Sequence, residues 1–554
     1  MQFRQTINQL KELNQLRWNA FTWVGILLII ICGIKVTYGL ENYMDILFWD
    51  ESVYLTRGVN MFGSIPRDWG PAYSLWYKFL SFFISDKIEL YYFNFKLTTI
   101  LICIVLFLFL MACGVQQILA FLFAVLFLAS FINLPLWPRV SHFCIIVLLT
   151  GLLIAKHQQT LLLKTITIAF ALLICSYARP ELFLAFLPLF MLSYILFFMK
   201  IKQSSTLERV QIAALSGLFV FMYIFFKTPL NGGDANRSIG VFLQHFAMNY
   251  SQWHHDDSIF WLDFWDIVRK NFTDSVSLAT IIKSNPDLFI QHITSNCTNY
   301  FIQTGKIIFS FFAPIFTAKT HWLCLMVSLI LFSIYFTLTK ISQNKRLRFF
   351  TLLRANYFTL FVLFVFMAPP IFVCIYAYPR EHYLILQVPF LLVCIGLIIS
   401  SITVEIEKPI HKIIVIGVVC FFTIPVAEDF VYFNMFRREE NLSNLKTLQY
   451  IKANFKSNDS IRVFDLEGGM TNLLPKNFTN YNHIYLKDRE QISLSTFLLS
   501  HPFDIIYNTP TLHKINAVKN DSVLFDLLKS PEKYGYFNQK TGNFTPSILI
   551  RKRQ

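Results

Sequence analysis

From residue 19 to residue 428 long apolar runs alternate with short polar links; beyond that the runs shorten and charges become frequent. A helix that crosses a bilayer needs about 20 mostly apolar residues, since each adds about 1.5 Å across about 30 Å of hydrocarbon. Runs near 19–39, 90–113, 116–136, 140–156, 161–178, 182–200, 210–227, 321–339, 356–376, 383–402 and 411–428 approach that length, which predicts about eleven spans. The run Phe301–Phe316 is shorter and carries Lys306, so an interfacial or re-entrant helix is expected there. Within 429–554, Ile461–Phe464, Asp504–Tyr507 and Ile548–Ile550 have strand character, while 443–455 and 521–529 carry helical periodicity. The pattern predicts a transmembrane part, 1–428, followed by a small α/β domain, 429–554, outside the membrane.

Composition supports the membrane reading. Hydrophobic residues make up 55% and charged residues 15% of 554, Phe alone occurs 60 times, and the mean hydropathy is +0.51. A soluble chain of this length needs more polar surface than that. The net charge of +15 argues little for nucleic acid, because much of the Lys and Arg sits in short links between spans. Arg4, Lys11 and Arg17 precede the first run; Lys156 with Lys164, Lys200 with Lys202 and Arg209, Lys340 to Arg354, and Lys408 with Lys412 follow in later links. With a cytoplasmic N-terminus and eleven crossings all these clusters fall inside, as basic loops do. The same parity places segments 40–89 and 228–320, the turn at Arg380 and the C-terminal domain outside. Most of the ten Cys lie scattered within apolar runs, so neither disulfides nor a zinc site is expected.

The candidate chemistry lies just beyond the first run. Asp50 and Glu51 stand where the chain leaves the membrane, followed by an amphipathic stretch, breaks at Gly63 and Pro66, the turn Asp68-Trp69-Gly70-Pro71, and an aromatic stretch from Tyr73 to Phe83. Two helices lying in the interface fit this pattern. Carboxylates there are often merely solvated, but one beside a lipid-borne substrate has the position to act as a general base. Ser176-Tyr177-Ala178-Arg179-Pro180-Glu181 closes the fifth run and Tyr376-Ala377-Tyr378-Pro379-Arg380-Glu381-His382-Tyr383 opens the tenth. Parity brings both to the same outer face. An Arg between apolar runs is costly unless paired or set in a polar cavity, and its guanidinium suits phosphate. His254-His255-Asp256-Asp257 reads as a solvated loop, since adjacent residues rarely converge on one ion. Trp137-Pro138-Arg139 reads as an outer turn with an interfacial aromatic, and His142 as a packed histidine or a cavity-lining one.

The order first span, Asp-Glu, Tyr54, a Gly, then Pro66-Arg67-Asp68-Trp69-Gly70-Pro71 into a second interface helix resembles the GT-C glycosyltransferases. That superfamily includes protein O-mannosyltransferases and lipid A aminoarabinose transferases. The stretch from Pro379-Arg380 through Tyr383-Leu384 to Pro389 is similar to a pattern common late in bacterial members. Where relatives often carry Lys-Pro-Pro-Leu after the turn, this chain has Trp69-Gly70-Pro71-Ala72-Tyr73, which leaves the acceptor open. The resemblance implies an all-α polytopic membrane fold with external interface helices in a bacterial inner membrane. It implies a polyprenyl-phosphate sugar donor, an envelope acceptor and no organic cofactor, although some members use a divalent ion. By position Asp50 would be the base, with Glu51 the alternative. Arg380 and Arg179 would hold the lipid phosphate, and Tyr383, Tyr54, Asp68, Trp69 and Tyr73 would line the substrate path. A lipid-linked glycan flippase or transporter, an envelope glycan ligase, and a membrane scaffold are the rival readings.

Overall fold

The computed structural model describes residues 18–48, 50–61, 70–134, 137–231, 237–255, 260–272, 277–312, 321–337, 339–405, 410–424, 426, 442–455, 460–466, 468–481, 493–509, 512, 521–540 and 547–552. The chain is mostly helical (75%) with a small sheet near the C-terminus. Seven described helices are long and apolar enough to cross a bilayer, which marks a membrane protein.

The first helix, α1 (Ala20–Thr37), starts where Asn19 accepts the Thr22 N–H at 3.0 Å. After it come two short helices, α2 (Glu51–Val59) and α3 (Pro71–Leu80), packed on each other. Asp86 then caps α4 (Lys87–Ala112) by accepting from Ile88 and Glu89. Next are α5 (Gln117–Leu128), α6 (Val140–His157), α7 (Leu161–Ser176), α8 (Phe183–Met199) and α9 (Thr206–Phe226). A reciprocal cap between Ser205 and Glu208 opens α9, supplying two orphan donors with acceptors.

Some expected spans come out shorter. The run 116–136 yields only the 12-residue α5, whose side chains from Ile118 to Leu128 are all buried by neighbouring helices. It is hydrophobic all round because protein, more than lipid, surrounds it. Residues 313–316 lie outside the described residues, and residues 301–312 do not form a helix of their own. They continue a 27-residue helix, α13 (Pro286–Phe312), preceded by α10 (Arg237–Trp253), α11 (Phe260–Asn271) and α12 (Leu278–Ser284). After α14 (His321–Thr337) and β1 (Thr339–Ile341), the 32-residue α15 (Lys345–Tyr376) runs through the bundle. It is followed by α16 (Glu381–Ile402), β2 (Thr403–Glu405), which pairs antiparallel with β1, and α17 (Ile410–Thr423).

The C-terminal part contains α18 (Ser443–Asn454), β3 (Ile461–Phe464), β4 (Phe478–Asn480), α19 (Leu494–Ser500), β5 (Ile505–Asn508), α20 (Ser522–Lys529), β6 (Tyr536–Lys540) and β7 (Ser547–Arg551). The sheet order is β4-β3-β5-β7-β6, with β3 parallel to β4 and β5, and β7 antiparallel to β5 and β6. Strand alternation divides its side chains between two cores. Phe464, Ile506 and Leu549 pack with Phe497, Leu524 and Leu528. Ile461, Val463, Ile505, Tyr507, Ile548 and Ile550 face the other way and belong to the same continuous core as Phe48, Leu55 and the membrane helices. The sheet is therefore docked on the bundle through one whole face.

Candidate functional site

Glu51, at the start of α2, is 1% exposed. Its Oε1 accepts from the hydroxyls of Tyr73 (2.6 Å) and Tyr77 and from Asn94 Nδ2 (3.0 Å), and Oε2 accepts from the Arg139 N–H at 2.8 Å. Asn94 also reaches both tyrosine oxygens at 2.8 Å, and its own oxygen accepts from Trp76 Nε1. Arg139 is itself fully buried. Its guanidinium is held by Thr98 (3.1 Å), Thr99 (2.7 Å) and the Asn133 carbonyl (2.5 Å), and lies over the Phe95 ring. Burial pushes the Glu51 carboxyl above the usual carboxylate range, while its hydroxyl and amide donors and the nearby guanidinium pull it back. Burial and the adjacent Glu51 charge push the Tyr73 hydroxyl well up, so it stays a donor. Held by four donors, Glu51 anchors α2 against α3, α4 and the start of α6.

Asp50 is placed differently. It is the N-cap of α2, half-buried, with φ of +31° and no capping hydrogen bond from its side chain. A non-glycine residue at positive φ costs roughly 1–3 kcal/mol and persists only where its surroundings over-determine it. Its carbonyl accepts the Tyr54 N–H at 3.1 Å. Its neighbours are fixed by the Glu51 network and by the Ser52 hydroxyl, which donates to the Phe48 carbonyl. Asp50 lines a cavity of about 440 Å³ shared with Leu47, Glu51, Trp137, Pro138, Met248, Gln303, Tyr378, Pro379, Arg380, Glu381 and His382. That volume lies within the range of roughly 300–1,000 Å³ usual for small-ligand sites. Segments from the heads of α2, α6 and α16, from α10 and from α13 thus meet at one end of the bundle, and a carboxylate and a guanidinium both border the space.

Arg179 does not line this cavity. Its Nε pairs with Glu181 at 2.6 Å, one terminal nitrogen donates to Ser141 Oγ (2.6 Å) and the His382 carbonyl (3.2 Å), and its plane covers the Tyr383 ring at 4.4 Å. It therefore braces the turn that carries Arg380, and Tyr383 serves as its platform. Tyr54 and Tyr73 are buried, edge-to-face at 5.1 Å, and neither lines this cavity. Asp68 and Trp69 fall outside the described residues, as do Asp256 and Asp257. Gly70, with φ of +39°, leaves room for α3: a β-carbon there would stand 2.5 Å from the Ala178 carbonyl oxygen. That approach lets Ala72 donate to the Tyr177 carbonyl at 3.0 Å, tying the start of α3 to the Arg179 turn.

Sequence reasoning missed Arg139, Asn94 and Tyr77. The cost of an unpaired Arg at the head of an apolar run, applied to Arg179, applied equally to Arg139, and that signal was present. Nothing flagged Asn94 or Tyr77, which are ordinary polar interruptions of helices. His142 is fully buried and away from the cavity. Among the described residues no three His, Cys, Asp or Glu side chains converge as a metal site. Compared with protein-family models and with curated proteins, the chain matches none.

Proposed function

We propose that the protein is an inverting GT-C-like glycosyltransferase that moves a sugar from a polyprenyl-phosphate donor to an envelope acceptor on the outer face of a bacterial inner membrane. The observation that carries this reading is that Asp50 and Arg380, more than three hundred residues apart in sequence, border one cavity at the head of the bundle. Asp50 takes the proton of the acceptor hydroxyl as its oxygen forms a bond to the anomeric carbon. The bond from that carbon to the phosphate oxygen breaks on the opposite face, and the electron pair leaves with the polyprenyl phosphate. Arg380 offsets the charge that grows on the departing phosphate, and Arg179 acts through the His382 carbonyl to hold the Arg380 turn. The basic links between spans favour a cytoplasmic N-terminus and an outer-facing cavity. A lipid phosphate leaves without nucleotide chemistry, and nothing in the proposed steps calls on a nucleotide site.

Arg380 provides the test. In vesicles reconstituted with the purified protein and a radiolabelled polyprenyl-phosphate sugar, Arg380→Ala is expected to lower kcat/KM for the donor by about 10²- to 10³-fold, the usual loss for a removed charge-stabilising donor. Arg380→Lys restores part of it, since a point charge replaces a bidentate fork. Movement of intact labelled donor across the bilayer, with no labelled acceptor formed, would favour the flippase instead.

A further inference from the structure

We propose that the C-terminal α/β unit is a working part of this site, with Asp45 as a positioning residue that holds the strap presenting Asp50 to the cavity. The inference rests on the reading of Asp50 as the base. The strap joins the end of the first span to α2. Within it the Asp45 carboxylate accepts from the backbone N–H groups of Asn444 (2.9 Å) and Leu445 (2.8 Å), the opening turn of α18. Those N–H groups have no partner inside their own helix, and a carboxylate at a helix N-terminus is favourably placed. Asn444 returns its side-chain N–H to the Ile46 carbonyl at 2.8 Å and accepts from the Tyr507 hydroxyl at 2.6 Å.

Two further contacts hold the strap. The Phe48 ring meets Tyr507 edge-on at 5.9 Å, and a β-carbon on Gly469 would lie 2.2 Å from the Phe48 carbonyl oxygen. The loop after β3 therefore closes on the strap with backbone against backbone, a fit open only to glycine. Asn472 then reaches Ser52 Oγ at 3.2 Å, and its carbonyl accepts from Thr56 and from Lys87 Nζ (2.7 Å). The other side of the strap is held by the membrane bundle, where Leu47 N–H donates to the Tyr91 hydroxyl at 3.0 Å and Tyr92 donates to the Met44 carbonyl at 2.6 Å. Leu47 and Asp50 are the strap's cavity-lining residues. A segment gripped from both sides is what keeps a non-glycine residue at positive φ.

The clamp carries a titratable group. Burial pushes the Asp45 carboxyl up to about 7, against the pull of the Asn444, Leu445 and Ile46 N–H groups and the Lys446 charge. Lys446 faces it from α18 and the Tyr91 and Tyr92 phenols from α4, while Glu41 in the preceding turn is paired with Lys96 at 2.5 Å. An undocked Asp titrates near about 3.9. The docked form therefore holds its proton more tightly, so clamping is strongest below that value and weakens as pH rises through about 7.

The test compares Asp45→Ala, Asp45→Asn and Lys452→Ala in the full-length purified protein. Backbone hydrogen exchange of residues 46–52, corrected for intrinsic rate, is read beside kcat and donor KM. Asp45→Ala is expected to raise exchange and to lower kcat about 100-fold, the loss typical of a misplaced catalytic group, with donor KM within about threefold. Asp45→Asn keeps one acceptor oxygen but turns an amide N–H, which cannot accept, toward the second backbone N–H, so it falls between Asp45→Ala and the wild type in both readouts and removes the pH dependence of exchange. Lys452→Ala breaks only the half-buried bridge to Asp86 (2.7 Å) and leaves both readouts as in the wild type. Unchanged exchange and kcat in Asp45→Ala overturns the proposal, and so does an equal loss in Lys452→Ala. Should Asp45→Ala not fold, pH-independent protection of 46–52 in the wild type between about pH 4 and 8 overturns it instead. A wild type that transfers no sugar refutes the transferase reading, while the exchange comparison still judges the clamp.

Discussion

Asp50→Asn is expected to lower kcat for sugar transfer by about 10²- to 10⁴-fold, the usual contribution of a positioned general base, with the protein still folded and the donor KM little changed. Asparagine is nearly isosteric with aspartate and shares its tolerance of positive φ, so the +31° backbone at this position survives. What is lost is the ability to take a proton at the cavity edge. Arg380 and the remainder of the lining stay in place, which is why binding of the lipid phosphate holds. Steady-state kinetics in reconstituted vesicles, paired with a thermal unfolding scan in detergent, check both halves. A kcat within threefold of the wild type removes Asp50 from the chemistry.

The second large effect falls on folding. Glu51→Ala takes their acceptor from the Tyr73 and Tyr77 hydroxyls and the Arg139 N–H, while Asn94 Nδ2 keeps the two tyrosine oxygens, and it leaves the fully buried Arg139 beside an empty site. Each stranded buried donor costs about 1–3 kcal/mol. Because these costs are not additive, a total of about 5 kcal/mol is expected, enough to remove most folded protein from the membrane. Glu51→Gln keeps one acceptor oxygen but turns an amide N–H toward groups that are themselves donors, so it falls between the alanine variant and the wild type. Folded yield and thermal midpoint in detergent measure this directly. A Glu51→Gln protein with wild-type stability and no transfer reverses the two roles and makes Glu51 the base.

These two residues show where the sequence stops informing. Asp50 and Glu51 are neighbours of the same chemical type, and successive positions at a helix start point in directions about 100° apart. Both border the cavity; that Glu51 is held in a buried hydrogen-bond network depends on Tyr73, Tyr77 and Asn94, which arrive from other helices. Seven of the eleven expected spans correspond to described helices long and apolar enough to cross, and they were readable because a bilayer demands length and apolarity in each segment separately. The reading failed where that demand lapses. Helix α5 is apolar but sheathed by protein, and α13 begins polar outside the apolar stretch, so hydropathy sees only its second half. The Arg179 and Arg380 segments were recognisable by the cost of a charge between apolar runs, yet their division of labour was not, since it turns on Glu181, Ser141 and the His382 carbonyl. Strands β3, β5 and β7 and helices α18 and α20 of the C-terminal part were legible from periodicity, while β4, β6 and α19 were not. Its grip on the strap was not, because the closeness of Gly469 to Phe48 leaves no pattern in either segment.

The central claim is tested most directly by supplying radiolabelled polyprenyl-phosphate sugar to vesicles carrying the wild type, Asp50→Asn or Arg380→Ala, then following label into acceptor and release of unlabelled polyprenyl phosphate. The account predicts labelled acceptor of inverted anomeric configuration from the wild type, and loss of at least about 100-fold in both variants. Equal transfer by all three proteins would contradict it.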